Sequence, residues 1–206
     1  MTKPPKKTTQ TPAQKQSQKQ TSKPTQAAAT ALPQRSTPKS SRPLSPDDTQ
    51  YRPGVGITLF NRKGDVFVAE RLDNPGAWQM PQGGIDDGEE PEIAVFREME
   101  EEIGTRDARI MGMMDDWIRY DIPERTAKKL WGGKYKGQRQ KWIALEFLGD
   151  DSDIDLTADK HPEFSKWKWV PLKDLLKYVV PFKRDVYAAV MHEFKAYAEG
   201  LRHKNG

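Results

Sequence analysis

Residues 83–105 read GGIDDGEEPEIAVFREMEEEIGT, and this stretch decides the fold of the chain. The glycines at its start permit tight backbone turns, because glycine adopts positive φ angles without a steric penalty. Pro91 suits the first turn of a helix, where a missing N–H costs little, and Gly104 is a typical residue for a helix end. The stretch therefore predicts a glycine-rich loop followed by a helix that begins at Pro91 and ends at Gly104.

The predicted helix has one acidic face and one apolar face, given a turn of about 100° per residue. The acidic face carries Glu98, Glu101 and Glu102. The apolar face, which we expect to be buried, carries Ile93, Phe96, Met99 and Ile103. Carboxylates at these spacings repel one another by a few tenths of a kcal/mol per pair and need compensation. They either form a solvated surface paired with basic residues such as Arg97, or bind a hard divalent cation such as Mg²⁺ or Mn²⁺.

The spacing across this stretch resembles the signature of the Nudix hydrolases, G-x5-E-x7-R-E-U-x-E-E-x-G-U, in which U is aliphatic. The residues that match are Gly83, Glu89, Arg97, Glu98, Met99, Glu101, Glu102 and Gly104. Thr105 is the only departure, at the final aliphatic position, and it affects packing rather than chemistry. A match over this many positions is far more specific than a lone glycine motif. The resemblance implies an α/β/α sandwich around a mixed β-sheet, a bound divalent metal, and hydrolysis of a nucleoside diphosphate linked to another group.

The first fifty residues differ in composition from the rest of the chain. They hold nine lysines and arginines, two aspartates, eight of the sixteen prolines and no aromatic residue. Such a segment cannot offset its ordering entropy by burying apolar surface, so we expect residues 1–50 to be a disordered basic tail rich in Lys, Pro, Thr and Gln. A linker or solubilising role is favoured, while a salt-dependent RNA-binding arm or a targeting segment stays open. Residues 51–206 would then form one Nudix domain.

Composition also excludes several classes of protein. The chain has no cysteine, which rules out disulfides, thiolate metal sites and thiol nucleophiles. No run approaches the ~20 apolar residues that span a bilayer. We therefore expect a soluble, cytoplasmic protein that does not interact with membranes. The sequence does not indicate the oligomeric state, and a monomer is assumed.

Apolar patterns in residues 51–206 predict the remaining elements. Strands are expected over residues 55–60, 65–69, 108–114, 117–120, 142–148 and 166–170. Helices are expected over residues 172–178 and 184–201, the second with an apolar stripe. Residues 128–141 interleave lysines with aromatic residues. This segment is either a loop that contacts phosphates and bases or a solvated loop.

Further stretches resemble one subgroup of the family, the bacterial RNA pyrophosphohydrolases and the related asymmetrical diadenosine tetraphosphate hydrolases. These stretches are residues 51–53 (YRP), 78–85 (WQMPQGGI), 137–142 (GQRQKW), 162–164 (PEF), 167–169 (WKW) and 182–187 (FKRDVY). Together they extend over almost all of the predicted domain. The basic tail matches no family pattern.

The resemblance implies a role for each matching residue. The implied metal ligands are Glu98, Glu101, Glu102 and Glu163, with Mg²⁺ as cofactor and Mn²⁺ or another divalent cation able to replace it. The residues implied to contact the 5′ end of the substrate are Arg52, Arg71, Gln138, Phe182 and Lys183. The glycines of the loop and helix end are Gly83, Gly84 and Gly104. Glu89 would orient the loop or a ligand, and Arg97 would hold the glutamates by salt bridges.

A general base must also take a proton from the attacking water. Glu98 and Glu102 are candidates by their position on the helix, and Glu163 is a candidate because it comes from a loop. The sequence does not choose between these three residues.

The subgroup resemblance implies removal of pyrophosphate, or of successive phosphates, from 5′-triphosphorylated RNA to leave a 5′-monophosphate. The alternative enzyme is an asymmetrical diadenosine tetraphosphate hydrolase, favoured by the loop Asp73-Asn74-Pro75, which is similar to that of dinucleotide-preferring members. A catalytically idle nucleotide or RNA sensor is the alternative that is not an enzyme. The intact set of glutamates argues against it, because a sensor has no physical need for carboxylates that repel one another. The expected partners are RNA 5′ ends and nucleoside polyphosphates.

Overall fold

The structure is a computed structural model that describes residues 46–205 of the 206-residue chain. Residues 1–45, which make up most of the predicted tail, lie outside the described residues. The last five residues of the predicted tail, Pro46–Gln50, form a short 3-10 helix, which differs from the prediction. Asp47 and Asp48 in this helix form salt bridges to Arg119 of the domain. Ordered structure therefore begins before residue 51.

Eight strands form one mixed β-sheet. They are β1 (Tyr51–Phe60), β2 (Asp65–Arg71), β3 (Trp78–Gln79), β4 (Gln82–Gly84), β5 (Ala108–Met113), β6 (Ile118–Asp121), β7 (Gly137–Phe147) and β8 (Phe164–Pro171). Strands β1 and β7 run parallel at the centre of the sheet, paired from Tyr51 with Gly137 to Phe60 with Glu146. The other paired strands are antiparallel. The predicted strands are confirmed, with β1 and β7 each longer at the N-terminal end than expected.

Three α-helices accompany the sheet in the described part of the chain: α1 (Pro91–Ile103), α2 (Glu124–Trp131) and α3 (Arg184–Asn205). The predicted ends of α1 are confirmed, because Pro91 is its first residue and Gly104 caps it with a φ of 77°. The predicted helix over residues 172–178 is a 3-10 helix, Leu172–Lys177. None of the helices in residues 46–205 is both long enough and apolar enough to cross a membrane.

The sheet lies between two hydrophobic clusters. On one face, Val55, Ile57 and Leu59 of β1 pack in a cluster with residues of α1 such as Met99. On the other face, the cluster contains Phe60 and Trp142 of the sheet together with residues of α3: Val186, Tyr187, Val190, Phe194 and Ala198. Each fully buried large aliphatic side chain contributes roughly 1.5–3 kcal/mol. This arrangement confirms the predicted α/β/α sandwich around a mixed sheet.

Two local predictions are wrong. Ile93, expected on the buried face of α1, is 60% exposed, while Glu98 and Glu102 are buried. The segment over residues 128–141 is not a single loop, since α2 extends to Trp131 and β7 begins at Gly137. In both cases the surroundings of the element decide the outcome: the sheet covers the glutamate side of α1, and β1 extends the ladder of β7.

Candidate active site

The carboxylate of Glu98 in α1 occupies space beside the sheet that is free because residue 83 is a glycine. Gly83 in β4 faces Glu98, and a Cβ atom at residue 83 would lie 1.7 Å from Oε2 of Glu98. Glu98 is 8% exposed. Burial raises the pKa of its carboxyl group, and the neighbouring Arg97 partly offsets this effect. The glycine at residue 83 is therefore needed for the carboxylate to occupy its position.

Arg97 ties the glutamates to the loop. Its guanidinium donates from Nε and Nη2 to the two carboxylate oxygens of Glu89, at 2.9 and 2.7 Å. It also donates to Oε1 of Glu98 at 2.9 Å and to the carbonyl of Gly84 at 2.9 Å. Glu101 accepts a weaker bond at 3.3 Å. The bidentate pair lowers the pKa of Glu89 to about 2, so this carboxylate is charged at neutral pH.

Glu102 lies deeper in the protein and is only 6% exposed. Its Oε2 accepts a hydrogen bond of 2.8 Å from the backbone N–H of Gln82. Burial raises the pKa of Glu102 well above its ordinary value, and the negative charges of Glu163 and Glu98 add to the rise. The structure thus brings carboxylates from α1 and from the loop before β8 into one electrostatic group.

Glu163 reaches this group from outside the helix. Its Oε2 accepts a bond of 3.3 Å from Nη1 of Arg71, and its side chain is 48% exposed. Arg71 is held from the other side by Asp73, which accepts bonds of 2.7 and 3.0 Å from Nε and Nη2. This pair lowers the pKa of Asp73 and raises that of Arg71. Arg71 is thereby fixed at the mouth of the site as a cation.

Glu98, Glu163 and Arg71 line a cavity of about 580 Å³, and Glu102 is not in its lining. The side chains that line it include Arg52, Arg71, Trp78, Gln82, Glu98, Tyr120, Lys129, Gln138, Glu163, Phe182 and Lys183. All five residues expected to contact the substrate are among them. Glu101 is not, and its side chain is 48% exposed beside Arg97. The volume lies within the range of sites for small ligands, about 300–1,000 Å³.

Gln138 holds one wall of the cavity in place. Its Oε1 accepts hydrogen bonds from Tyr120 Oη at 2.6 Å, Gln140 Nε2 at 2.9 Å and Gln82 Nε2 at 3.2 Å. Phe182 is 43% exposed and packs against the ring of Tyr120 at 6.4 Å between centroids. Gln82 and Tyr120 were not among the predicted site residues. Gln82 adjoins the glycine loop in sequence, which is a signal for it, whereas only the pairing of β6 with β7 brings Tyr120 here.

Lys183 forms the floor of the cavity. Its Nζ donates to Oε1 of Gln79 at 3.0 Å and to Oε1 of Gln82 at 2.8 Å, and the residue is 6% exposed. Burial, reinforced by the positive charge of Arg71, lowers the pKa of Lys183 to about 7. A cation held against amide oxygens and poorly compensated by carboxylates is suited to binding an anionic ligand.

The donor set fits a hard divalent cation. Glu98, Glu102 and Glu163 supply carboxylate oxygens, and the gap at Gly83 admits one of them to the cavity. Within residues 46–205, however, no three histidine, aspartate or glutamate side chains are already arranged to hold a metal ion. In this structure Arg97 forms salt bridges with carboxylate oxygens of Glu98 and Glu101. The assignment of metal ligands made from the sequence stays a prediction.

Comparisons of the sequence identify its relatives. The NUDIX domain model matches residues 50–190. A protein of Rhodospirillum rubrum named RNA pyrophosphohydrolase is 56% identical over 156 residues, which are 76% of this chain and 94% of the relative. Proteins of the same name from Roseobacter denitrificans and Wolbachia pipientis are 51% and 44% identical; they cover 71% and 75% of this chain, and the alignments include 93% and 95% of the relatives.

Solved structures share the fold at low sequence identity. An E. coli dihydroneopterin triphosphate pyrophosphohydrolase superposes with a TM-score of 0.56 at 16% identity, covering 69% of this chain and 98% of that one. A C. elegans Ap4A hydrolase in a binary complex superposes with a TM-score of 0.52 at 20% identity, covering 71% and 98%. At such identities the likeness concerns the fold alone.

Proposed function

The chain belongs to the NUDIX domain family, and from this premise we propose that it is an RNA pyrophosphohydrolase. It removes pyrophosphate, or successive phosphates, from the 5′ end of triphosphorylated RNA and leaves a 5′-monophosphate. The relatives that carry this name are 44–56% identical to the chain, and the alignments cover more than nine-tenths of their length. Work on cellular RNA would place the enzyme in the cytoplasm.

One observation carries the proposal: carboxylates and cations converge on the same cavity. Glu98, Glu102 and Glu163 form one electrostatic group, and Arg71 bonds directly to Glu163. Such an arrangement costs stability, because buried charges are expensive unless they are paired. A polyphosphate ligand with its counterions would satisfy both sets of charges at once.

The cations suit the 5′ phosphates. Arg52 lies against Gly84, where a Cβ atom would be 2.3 Å from its Nη2, and it lines the cavity with Arg71 and Lys183. Guanidinium groups bind phosphate oxygens bidentately, and a buried ammonium adds a point charge. The half-exposed ring of Phe182 offers a flat face on which the first base can stack.

The proposal includes a divalent cation, Mg²⁺ by preference, held by Glu98, Glu102 and Glu163, with Glu101 at the edge of the set. When bound, the cation supplies neutralisation of phosphate oxygens and an acidified water. Glu89 and Arg97 keep the loop and Glu98 in position through the bonds described above.

One carboxylate takes the proton of the attacking water. Glu98 and Glu163 line the cavity, whereas Glu102 lies behind Gln82 and keeps one oxygen in a bond to its backbone. A residue serves as base only if it retains a free oxygen facing the water. Separate substitution of the three residues assigns this role, since the base affects kcat most strongly.

The test uses the purified full chain with Mg²⁺ and two substrates, 5′-triphosphorylated RNA and diadenosine tetraphosphate. We expect a higher kcat/KM for the RNA, with release of pyrophosphate or phosphate. The loop over residues 73–75 favours the dinucleotide as the alternative substrate, and a higher kcat/KM for diadenosine tetraphosphate would establish that alternative.

Variants Glu98→Gln and Glu102→Gln should lose activity by at least about 100-fold without loss of folding, since they remove a carboxylate close to the reacting phosphate. Glu100→Gln is the matched control: it is the same change on the same helix, at an exposed residue that forms a salt bridge to Arg106. Full activity in both test variants would overturn the assignment and would favour a sensor that does not catalyse.

A further inference from the structure

A cluster of cations lies on the sheet face that carries α1, beyond the cavity. In strands β6 and β7 the residues Arg119 and Arg139 are direct cross-strand partners, so both point to the same face. Like charges directly opposite each other destabilise a sheet. Lys136 directly precedes β7 and lies over the ring of Tyr51, and Lys141 lies within β7. The ring of Trp117 lies near both Arg139 and Lys141. We call these six residues the basic face.

Two cations of the basic face have little compensation. The guanidinium carbon of Arg139 is 4.6 Å from the ring centroid of Trp117, and its buried Nε finds no acceptor among the described residues. Lys141 is 8% exposed and donates to the carbonyl of Asp115 at 2.7 Å. Over residues 46–205, neither side chain has an acidic group within salt-bridge distance. Burial lowers the pKa of both cations and outweighs the nearby carboxylates that raise it, which are Asp48 for Arg139 and Asp115, Asp116 and Glu92 for Lys141.

Carboxylates already occupy the outer part of this face. Asp47 accepts from Arg119 at 3.3 Å and from Lys136 at 3.1 Å, and Asp48 accepts from Arg119 at 3.2 Å. Asp48 also attracts Arg139. Both aspartates belong to the short 3-10 helix Pro46–Gln50, which precedes the sheet. The basic face is therefore a surface that binds anions, and part of it is filled by the chain itself.

The sheet register relates this surface to the active site. Val55 pairs with Gly83 on one side and with Lys141 on the other. The three residues form one row, and the face at Gly83 is the one where Glu98 lies. With strands about 4.8 Å apart, Lys141 is two strands, or roughly 10 Å, from Gly83 in backbone position. Along β6 and β7, Arg119 and Arg139 directly adjoin the cavity residues Tyr120 and Gln138, whose side chains point to the other face, so the two sites meet at this part of the sheet.

We propose that the basic face binds phosphates of the single-stranded RNA that follows the 5′ end, and that Asp47 and Asp48 compete with the RNA for these cations. Alternating cations and aromatic side chains are the combination that holds a flexible strand, since cations bind the backbone and rings stack on bases. The inference rests on the proposed function for its ligand, and its test separates the two.

The test measures binding to RNA without catalysis. A fluorescent single-stranded RNA of about 12 nucleotides with a 5′-hydroxyl end, a length within the site sizes of single-strand binders, is titrated with the full chain in the presence of a chelator. Arg119→Gln/Arg139→Gln should raise Kd about fivefold to tenfold and reduce the slope of log K against log salt by about 1.4. Asp47→Asn/Asp48→Asn should lower Kd about threefold, since two competing charges are removed.

Two further variants keep the result interpretable. Arg119→Gln/Lys136→Gln changes side chains that are 45% and 41% exposed, so a loss of binding there does not come from misfolding. Arg106→Gln/Lys195→Gln removes the same charge from exposed ion pairs outside the basic face and should leave Kd unchanged. Unchanged Kd in both basic-face variants would overturn the inference.

Hydrolysis of a 5′-triphosphorylated dinucleotide, which has a single internucleotide phosphate to offer the basic face, reports mainly on the proposed function. If the wild-type chain does not hydrolyse it or longer triphosphorylated RNA, the proposed function fails, whatever the binding result. If the wild type hydrolyses the dinucleotide and the basic-face variants retain both this activity and normal RNA binding, only the inference about the basic face fails.

Discussion

Replacing Lys183 by methionine should stabilise the protein and weaken substrate binding at the same time. The ammonium group is buried, bonds to two amide oxygens, and has its pKa lowered from 10.5 to about 7. A buried cation of this kind serves the ligand rather than the fold. The substitution Lys183→Met keeps the length and apolar stem of the side chain and removes only its charge.

The lowered pKa of Lys183 determines the size and the sign of its contribution to the free energy of unfolding. Above pH 10.5 the lysine is neutral in both the folded and unfolded states, and it has no effect on stability. As pH falls from 10.5 to about 7 the unfolded chain takes up a proton that the folded protein rejects, so stability declines. Below pH 7 the penalty is complete, on the order of 5 kcal/mol. Loss of two hydrogen bonds, at roughly 1 kcal/mol each, leaves a net gain of about 2–3 kcal/mol in the variant at pH 7.

Urea unfolding in the presence of a chelator, at pH 7 and pH 9, measures this effect. The variant should be more stable at pH 7 by about 2–3 kcal/mol, and thermal unfolding should show a Tm higher by roughly 4–10 °C. Between pH 7 and pH 9 the wild type should gain stability relative to the variant by up to about 1.4 kcal/mol per pH unit. KM for triphosphorylated RNA should rise at least about tenfold, since a charge-assisted contact is lost.

Lys195→Met is the matched control, because Lys195 has an exposed side chain on α3 with one ion pair. It should change neither the pH dependence of stability nor KM. The reasoning is refuted if Lys183→Met is less stable than the wild type at pH 7 and the difference between them is the same at pH 9.

Three further substitutions, the first with Gly200→Ala as its control, test the positions of other groups. Gly83→Ala puts a Cβ atom 1.7 Å from the Glu98 carboxylate, so we expect kcat to fall by about 100-fold while urea unfolding changes little, because a side-chain end can shift. Gly200→Ala, in open space on α3, should leave kcat unchanged and stabilise the protein by about 0.5–1 kcal/mol. Arg97→Lys keeps the charge but loses the guanidinium fork, which should lower activity by about 10-fold to 100-fold; activity equal to the wild type would show that the fork is dispensable. Tyr187→Phe removes the hydroxyl that accepts a hydrogen bond from the buried backbone N–H of Met80. It should lower the free energy of urea unfolding by about 1–3 kcal/mol and leave KM unchanged.

Much of the fold could be predicted because it depends on local patterns. Pro91 and Gly104 mark the ends of α1, since each suits one end of a helix by its own backbone geometry. The apolar runs of β1 and β7 predict buried strands, and these two pair in the centre of the sheet. Segments whose structure depends on packing against a partner were harder to predict from the sequence. Helix α2 is an example, because its sequence is rich in lysine and Ala127 is its one buried residue.

The spacing of residues along the chain determined which side chains belong to the candidate site. The matching glutamates, arginines and glycines could be named because a helix repeats every 3.6 residues and the family pattern fixes the intervals. What the spacing could not determine is burial. Periodicity places Ile93 and Met99 on one side of α1, yet only packing against the sheet decides that Ile93 is exposed and Glu98 is buried.

Only the tertiary structure decided the electrostatics of the site. Lys183 is an ordinary lysine in the sequence, and its pKa of about 7 arises because folding buries it against Gln79 and Gln82 and places Arg71 near it. The pairing of Arg119 with Arg139 likewise exists only through the register of β6 on β7. A charge depends on its solvent exposure and on neighbours from distant parts of the chain, and folding alone brings these together.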